Sequence, residues 1–223
     1  MISLLFSQKN PIVLDAGCGL GSESIFFSFW GARVVGVDLK EEKIRAAEKR
    51  KLFYKDLIKG EVKFVLGDIF EVIKRQKFDI VWMNEAISHI HPAEGFLKLA
   101  RQQLNPGGRV VISEGNGGNP CILLRRFIET GRCSWGTHQV QDPKTGKAVR
   151  YAAERLFSLK EIANILEKAG FSIGQVGLTQ FTVFFVKRYR VFSKTIRSLE
   201  QWLDKQKFGR LLALSYRIEG KAD

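Results

Sequence analysis

The chain has 223 residues, of which 45% are hydrophobic, and it carries 36 Lys and Arg against 23 Asp and Glu. This length and apolar content suit one globular α/β domain with a core of its own. No apolar run approaches the roughly 20 residues of a membrane-spanning helix, and three widely spaced cysteines give neither a disulfide framework nor a paired-Cys zinc site. Because the start MISLLFSQKN lacks a basic region, we expect no signal peptide and a cytoplasmic protein with reduced thiols.

The positive charge is unevenly distributed. Residues 1–114 contain 17 basic and 14 acidic side chains, whereas residues 115–223 contain 19 and 9. The excess in the second half would attract nucleic acid, an anionic membrane surface or an acidic substrate. It would equally serve as a solvated surface that keeps the protein soluble, so charge alone does not choose a partner.

The first half alternates strand-like and helix-like segments. The apolar strand candidates are residues 11–16, 33–39, 62–69, 78–85 and 109–114. The helix candidates between them are residues 22–30, 41–60 and 92–105, and the PGG at 106–108 is predicted to be a turn. Strands that alternate with helices predict βαβ units and a mainly parallel sheet.

The second half is less regular. Residues 121–129 are an apolar helix candidate within a polar stretch. Further along, Ser158 and Glu161 form a capping box that predicts a helix ending at Gly170. The remaining strand candidates are residues 171–178 and 210–220.

The segment VLDAGCGLG, residues 13–21, places Gly17, Gly19 and Gly21 directly after the first strand. Glycines at a strand-to-helix turn let a ligand approach the backbone, although a purely structural turn would also use them. The spacing fits G-x-G-x-G better than the G-x-G-x-x-G of dinucleotide-binding proteins, because residue 22 is Ser.

Polar residues end the following strands at one edge of the predicted sheet. Asp38 ends the second strand, where it would accept hydrogen bonds from ribose hydroxyls or cap the next helix. Asp68 follows the third strand, and Asn84 and Glu85 follow the fourth. Open α/β folds bind ligands at the carboxyl ends of their parallel strands, so this edge is the predicted site.

The segments VLDAGCGLG, VVGVDL, FVLGDIF, FDIVWMNEAISHIH and LNPGGRVVISE together resemble the class I S-adenosylmethionine-dependent methyltransferases, in particular small-molecule, type 11-like members. The final RLLALSYRIEGK is similar to the antiparallel seventh strand of that family. The resemblance implies a single domain over residues 1–223. It also implies a Rossmann-like, doubly wound α/β fold with a mainly parallel seven-stranded sheet and an antiparallel last strand. The nicotinamide alternative explains neither Asp68 nor the PGG turn.

The resemblance also implies which residues meet S-adenosylmethionine. Those implied to bind or orient the cofactor are Asp15, Gly17, Gly19, Gly21, Asp38, Leu39, Asp68, Ile69, Asn84 and Glu85. The glycine loop would approach the methionine part, and Asp15 would orient the loop or meet the amino group. Asp38 would hold the ribose, while Asp68 and the backbone of Ile69 would take the adenine. The main chain at Asn84 and Glu85 would face the reacting methyl group.

His89 is the candidate general base. The sulfonium is already electrophilic, so alignment provides most of the acceleration and a base is needed only for an acceptor that must lose a proton early. His89 would equally pack in the loop or cap it. In the related quinone-biosynthesis O-methyltransferases a Glu–Glu–His set at this place is associated with a metal. The matching positions are Glu85, Ser88 and His89, and the serine predicts that no metal is required.

The resemblance implies a cover over the acceptor, which family members often build from helices ahead of the first strand. Few residues precede that strand here, so two insertions, residues 115–155 and 179–208, are expected to provide the cover. They would form a cap of helices and loops after strands five and six. Polar residues of the first insertion would recognise an acceptor or satisfy loop backbone, and they are Asn116, Asn119, Trp135, His138, Tyr151 and Arg155. Apolar spacing over residues 185–203 predicts a helix with a basic opposite face, either packed on the sheet or lying at an anionic membrane.

These features predict transfer of the methyl group of S-adenosylmethionine to oxygen, nitrogen or carbon of a small-molecule, metabolite or lipid-like acceptor. The basic second half keeps an RNA methyltransferase as an alternative. Residues 84–87, however, lack the Pro-Pro-aromatic pattern used on nucleobase amines, so nucleic acid is the less favoured partner. A non-catalytic module that binds the cofactor is the third hypothesis, and the oligomeric state is not indicated.

Overall fold

The computed structural model describes residues 9–131, 137–141, 146, 148–152, 155–179 and 213–222. The strands of this part of the chain are β1 (Ile12–Ala16), β2 (Arg33–Asp38), β3 (Glu61–Leu66), β4 (Phe78–Asn84), β5 (Leu104–Gly115), β6 (Thr137–Gln141), β7 (Ala148–Ala152), β8 (Ser172–Thr179) and β9 (Ser215–Lys221). The α-helices are α1 (Ser22–Ser28), α2 (Glu41–Phe53), α3 (Ile69–Val72), α4 (Ala93–Gln103), α5 (Pro120–Thr130) and α6 (Leu159–Lys168).

Seven of the strands form one sheet in the order β3-β2-β1-β4-β5-β9-β8. The strands from β1 to β5 pair in parallel, and β9 runs antiparallel between β5 and β8. The predicted doubly wound, mainly parallel seven-stranded sheet with an antiparallel last strand is therefore confirmed. The strands β6 and β7 form a separate antiparallel pair inside the first insertion, which the sequence did not predict.

Helices cover both faces of the sheet, which explains why the central strands are apolar at consecutive positions. On one face, Val13 of β1 packs with Phe27 of α1 and Trp82 of β4. On the other face, Leu14 belongs to the larger core cluster, to which α4 contributes Phe96 and α6 contributes Leu166. Neighbouring residues of β1 thus point into different cores.

The helix α2 ends at Phe53, earlier than the predicted end at residue 60. Tyr54 leaves the helical region with φ −96° and ψ 11°, and a short 3-10 helix, Lys55–Leu57, follows. Ala47 is the buried residue of α2, whereas Leu52 and Phe53 are exposed. Little packing therefore supports a longer helix, since tertiary contacts provide most of the stability of a helix in a protein.

The strand β5 begins at Leu104, before the predicted turn at 106–108 rather than after it. Leu104 pairs with Phe78, and the next pairing joins Arg109 to Ile80. The intervening residues loop out of the ladder as an irregularity in the strand. The PGG segment forms this looped-out part, and Gly107 adopts a left-handed conformation there with φ 72°.

The first insertion is held at its base by buried side chains. Asn116 Nδ2 donates to the carbonyl oxygen of Ala213 at 2.9 Å, and Asn119 caps α5 by accepting the N–H groups of Cys121 and Ile122. Both asparagines are buried. Their side chains bond to the backbone of the loop and of α5, which is the second of the two roles that the sequence suggested for them. Trp135 lies outside the described residues, and His138 and Tyr151 lie on β6 and β7.

Two predicted segments lie outside the part of the chain that the structure describes. They are the amphipathic helix at residues 185–203 and the start of the last strand at residues 210–212. Within the described ranges, none of the helices has the length and apolar character required to cross a membrane.

The predicted capping box at the start of α6 is confirmed, and it permits a stability test. Ser158 Oγ accepts the N–H of Glu161, whose carboxylate accepts the N–H of Ser158 at 2.8 Å. We expect Ser158→Ala to lower the free energy of unfolding by about 1 kcal/mol, measured by urea denaturation. Ser158→Thr should retain most of the stability, because its hydroxyl can accept the N–H of Glu161 and donate to the Glu161 carboxylate as the serine does. An equal loss in both variants would contradict the assignment.

Candidate functional site

The loop between β1 and α1 is held against β2 by its backbone. The N–H groups of Gly17 and Cys18 both donate to the carbonyl oxygen of Val37 at 2.9 Å. Gly17, Gly19 and Gly21 have φ values of 76°, 52° and 73°. Residues other than glycine rarely adopt this left-handed region, so the backbone path itself accounts for the alternating glycines.

The three glycines differ in what surrounds them. A Cβ atom at Gly17 would lie 2.9 Å from the Cβ of Ala86, and one at Gly21 would overlap the ring of Phe64. Packing within the protein therefore requires glycine at both positions. A Cβ at Gly19 would have no protein atom within 4 Å. Among the three, Gly19 is the one that borders open space.

Asp38 connects the glycine loop to the end of β2. Its Oδ2 accepts the N–H of Gly19 at 3.0 Å, and its Oδ1 accepts the N–H of Lys40 at 2.9 Å. Lys40 is the N-cap residue of α2, and the half-buried Leu39 lies between it and Asp38. Each carboxylate oxygen has a second lone pair, so Asp38 retains the capacity to accept a ligand hydroxyl.

Asp15 is buried in the sheet beneath the loop. Its Oδ2 accepts the hydroxyl of Ser24 at 2.5 Å, which joins β1 to α1. Burial raises the pKa of Asp15 to about 7, against the lowering effect of the Ser24 hydrogen bond, and the charge of Glu23 raises it further. The sequence suggested that Asp15 orients the loop or meets the amino group of the cofactor, and both roles stay predictions.

The end of β3 is joined to the end of β2. Gly67 donates its N–H to the carbonyl oxygen of Asp38 at 3.1 Å, and Asp68 then caps α3 by accepting the N–H of Phe70 at 2.9 Å. Ile69 is the first residue of α3. The N–H groups of a first helical turn have no partner within the helix. The N–H of Ile69 is therefore one that a ligand could accept, as its predicted role as a backbone donor requires.

The end of β4 has an unusual backbone conformation. Asn84 Nδ2 donates to Glu23 Oε1 at 3.0 Å, which joins β4 to α1. Glu85 is exposed with φ 50°, and its N–H donates to the carbonyl oxygen of Ser113 at 2.8 Å. A left-handed conformation costs a residue such as Glu roughly 1–2 kcal/mol. Strain of this kind is concentrated at functional sites.

Glu114, to which the sequence assigned no role, holds the turn that carries His89. The turn is a 3-10 helix, Ile87–His89, directly after β4. Glu114 is buried at the end of β5, where its Oε2 accepts the N–H of Ser88 at 3.2 Å and its Oε1 accepts that of Gly115 at 3.1 Å. Burial raises its pKa, and the hydrogen bonds and the nearby His89 counteract this.

His89 lies half-buried at the end of this turn, and its N–H donates to the carbonyl oxygen of Ala86 at 3.0 Å. The structure therefore places the candidate base between the ends of β4 and β5, at the same edge as the glycine loop. Of the three positions compared with a metal-binding set, Glu85 is exposed and Ser88 is buried on Glu114. The expectation of no required metal stays a prediction.

The first insertion returns to this edge of the sheet. The N–H of Arg155 donates to the carbonyl oxygen of Ser88 at 3.2 Å, and the strand β7 lies alongside the turn Ile87–His89. The guanidinium of Arg155 lies 5.0 Å from the centre of the Phe157 ring. The insertion thus contacts the turn that carries the candidate base.

The strand order, the antiparallel last strand and the glycine loop at the carboxyl edge define the fold of the class I S-adenosylmethionine-dependent methyltransferases. The model of a family described as a methyltransferase domain matches residues 7–170. The chain belongs to this methyltransferase domain family.

Two curated relatives each match about half of the chain. An O-methyltransferase of ubiquinone biosynthesis from Bradyrhizobium diazoefficiens is 34% identical over 104 residues, which are 47% of this chain and 40% of that protein. Phosphoethanolamine N-methyltransferase 1 of Zea mays is 32% identical over 103 residues, 46% of this chain and 20% of its own length. The chain thus matches less than half the length of these relatives.

Solved structures share the fold over nearly the whole chain. A methyltransferase of Methanosarcina mazei superposes with a TM-score of 0.64 and 20% identity, covering 99% of this chain and 96% of that one. Magnesium protoporphyrin IX methyltransferase of Synechocystis, with S-adenosylhomocysteine bound, superposes with a TM-score of 0.61 and 20% identity. The match covers 96% of this chain and 75% of that one. At this identity the likeness concerns the fold.

S-adenosylmethionine is the cofactor that this family implies, and the residues present fit it. The open space at Gly19 leaves room for a ligand against the backbone, because a Cβ there would meet no protein atom within 4 Å. Asp38 presents a carboxylate beside that space, hydrogen-bonded to Gly19. A carboxylate acceptor next to a glycine loop suits a ribose and its neighbouring groups.

Asp15 makes the stability of the protein depend on pH. Its ordinary pKa of 3.8 rises to about 7 on folding, so the folded state binds more protons than the unfolded state between those values. The free energy of unfolding therefore falls as pH rises from about 4 to about 7, by at most about 1.4 kcal/mol per pH unit.

Asp15→Asn removes this titration and keeps an oxygen that accepts the Ser24 hydroxyl. Between about pH 4 and about pH 7, we expect the free energy of unfolding of the wild type to fall by a few kcal/mol relative to that of this variant. Chemical denaturation of both proteins at a series of pH values measures the difference. Parallel stability profiles would show that Asp15 does not keep its proton in the folded protein.

Proposed function

We propose that the protein transfers the methyl group of S-adenosylmethionine to a small-molecule acceptor. The observation that carries the proposal is the arrangement at Gly19, where open space borders the loop and Asp38 fixes its backbone. Membership of the methyltransferase domain family supports the same reaction. The relatives named above act in ubiquinone biosynthesis and on phosphoethanolamine, which supports a small molecule as the acceptor.

The proposed cofactor site follows the strand ends in order. Asp38 accepts hydrogen bonds from the ribose through its remaining lone pairs, and Leu39 lies beside it. Asp68 takes the adenine amino group, and the backbone N–H of Ile69 donates to the adenine ring. The loop from Gly17 to Gly21 borders the methionine part, and Asp15 orients that loop through Ser24.

The cofactor, when bound, supplies an electrophilic methyl group on a sulfonium. The protein has to align an acceptor atom with that methyl group and keep the pair in place, which is the main source of acceleration. In our proposal the main chain at Asn84 and at the strained Glu85 would face the methyl group. His89 receives the proton from an acceptor hydroxyl or amine, and Glu114 is a positioning residue that holds the turn carrying His89.

The first insertion covers the acceptor in this proposal. It contacts the turn Ile87–His89 through β7 and through the bond from Arg155 to Ser88. An acceptor that reaches His89 would therefore lie against the insertion. The second insertion, residues 179–208, lies outside the described residues apart from its first position and carries no part of the proposal.

Binding of the cofactor tests the site. Titration calorimetry with S-adenosylmethionine and with S-adenosylhomocysteine should give binding of both, with little dependence on salt. We expect Gly19→Val to weaken this binding by at least about 100-fold, or about 2.7 kcal/mol, because the valine side chain fills the open space.

The control for that variant is Gly170→Val, at the end of α6. Gly170 has φ 87°, and a Cβ there would have no protein atom within 4 Å, so its substitution imposes the same kind of backbone strain away from the loop. The control should bind the cofactor like the wild type. Equal affinity of wild type and Gly19→Val would remove the basis of the proposed site.

Turnover tests the role of His89. Transfer of a labelled methyl group to a panel of phenols, carboxylic acids and phosphoethanolamine identifies an acceptor. With that acceptor, His89→Ala should lower kcat by about 100-fold and leave the affinity for S-adenosylmethionine unchanged, as loss of a general base does.

His91→Ala, two residues further along, is the matched control and should retain turnover. Normal turnover in His89→Ala would limit His89 to a packing role. Cofactor binding without transfer to any acceptor would favour the non-catalytic module over the enzyme.

A further inference from the structure

The helix α5 turns an apolar face to solvent. Its large apolar side chains are exposed to 38% at Leu123, 61% at Leu124, 54% at Phe127 and 74% at Ile128. Positions i, i+1, i+4 and i+5 lie on one side of a helix. The four side chains therefore form one continuous stripe, which we call the α5 face. Clustered exposure of this kind marks an interaction surface, unlike single exposed apolar residues.

The helix itself is well anchored, so the exposure does not come from a loose end of the chain. Asn119 caps it with bonds of 2.8 Å to Cys121 N and 3.2 Å to Ile122 N, and its Nδ2 donates to the carbonyl oxygen of Ala213. Gly131 ends the helix with φ 64°, donating its N–H to the carbonyl oxygen of Phe127 at 2.8 Å.

The stretch of sequence that contains α5 is rich in basic residues. Residues 120–160 contain eight Lys and Arg against three Asp and Glu, and the whole chain carries a net charge of +13. On α5 itself, the Arg125 side chain is 68% exposed and pairs with Glu129 at 2.7 Å. An apolar stripe with basic residues beside it is the pattern of helices that lie in the interface of anionic membranes.

The same observations disfavour the other partners. A nucleic acid would use the basic side chains but would leave the four apolar side chains of the α5 face without a partner. A second copy of the chain would bring two strongly positive molecules together at a basic surface. An anionic lipid surface satisfies both the charge and the apolar stripe.

We propose that α5 docks the protein on an anionic lipid bilayer, with the α5 face among the acyl chains and Arg125 at the headgroups. The helix begins five residues after β5 ends, so docking would bring the carboxyl edge of the sheet near the lipid. This interaction does not depend on methyl transfer and is measured without it.

Vesicle co-sedimentation tests the proposal with the full chain. The wild type should bind vesicles of phosphatidylcholine that contain about one third phosphatidylglycerol, and bind pure phosphatidylcholine much more weakly. Leu124→Ser/Ile128→Ser should lower binding to the anionic vesicles by about tenfold or more. Both side chains are exposed, so the variant should fold normally, which its thermal melting checks.

Leu52→Ser/Phe53→Ser is the matched control. These residues are 69% and 79% exposed on α2, so the double change removes similar apolar surface elsewhere. It should leave vesicle binding within about twofold of the wild type. An equal loss in both double variants, or no binding of the wild type to anionic vesicles, would overturn the proposal.

Two further results would assign the α5 face to another occupant. A clearly lower melting temperature of Leu124→Ser/Ile128→Ser would mean that another part of the chain covers the face. A wild-type dimer in sedimentation equilibrium that this variant dissociates would identify a second copy as the partner. Either result would also overturn the proposal.

Discussion

The carboxylate of Asp38 is the connection on which the shape of the candidate site depends. Its two oxygens accept backbone N–H groups from the glycine loop and from the start of α2, at Gly19 and Lys40. Its own carbonyl oxygen accepts the N–H of Gly67, which adds the end of β3. One residue at the end of a strand thus connects the glycine loop, the start of α2 and the end of β3, and the open space at Gly19 lies beside this connection.

At two other strand ends, a carboxylate likewise accepts backbone N–H groups of the neighbouring turn. Asp68 accepts an N–H at the start of α3, and Glu114 accepts the N–H groups of Ser88 and Gly115. A buried carboxyl group is expensive unless it is hydrogen-bonded, so the buried Glu114 is tolerated because backbone donors meet it. In a chain with a net charge of +13, Asp38, Asp68 and Glu114 are acidic groups that lie where turns provide backbone donors.

The sheet, the glycine loop and the strand-end acids could be predicted because their signals are local. Each signal is a strand followed within a few residues by glycines or by an aspartate and a helix, so a short stretch of sequence is enough to recognise it. Glu114 could not be assigned in this way, since its partner Ser88 lies 26 residues away. The different reasons for glycine at 17 and 21 depend on Ala86 and Phe64, which are also distant in sequence. The β6–β7 pair was not predicted because THQVQ is too polar to stand out from a loop.

The first insertion leaves and rejoins the domain at one point, since Gly117 N–H donates to the carbonyl oxygen of Phe157 at 3.1 Å. A segment closed at its base in this way can change in length and sequence without moving β5 or α6, because the entropy of closing a loop grows slowly with its length. Evolution can therefore exchange the first insertion as a unit. The same frame and the same strand-end acids would then serve descendants with different acceptors.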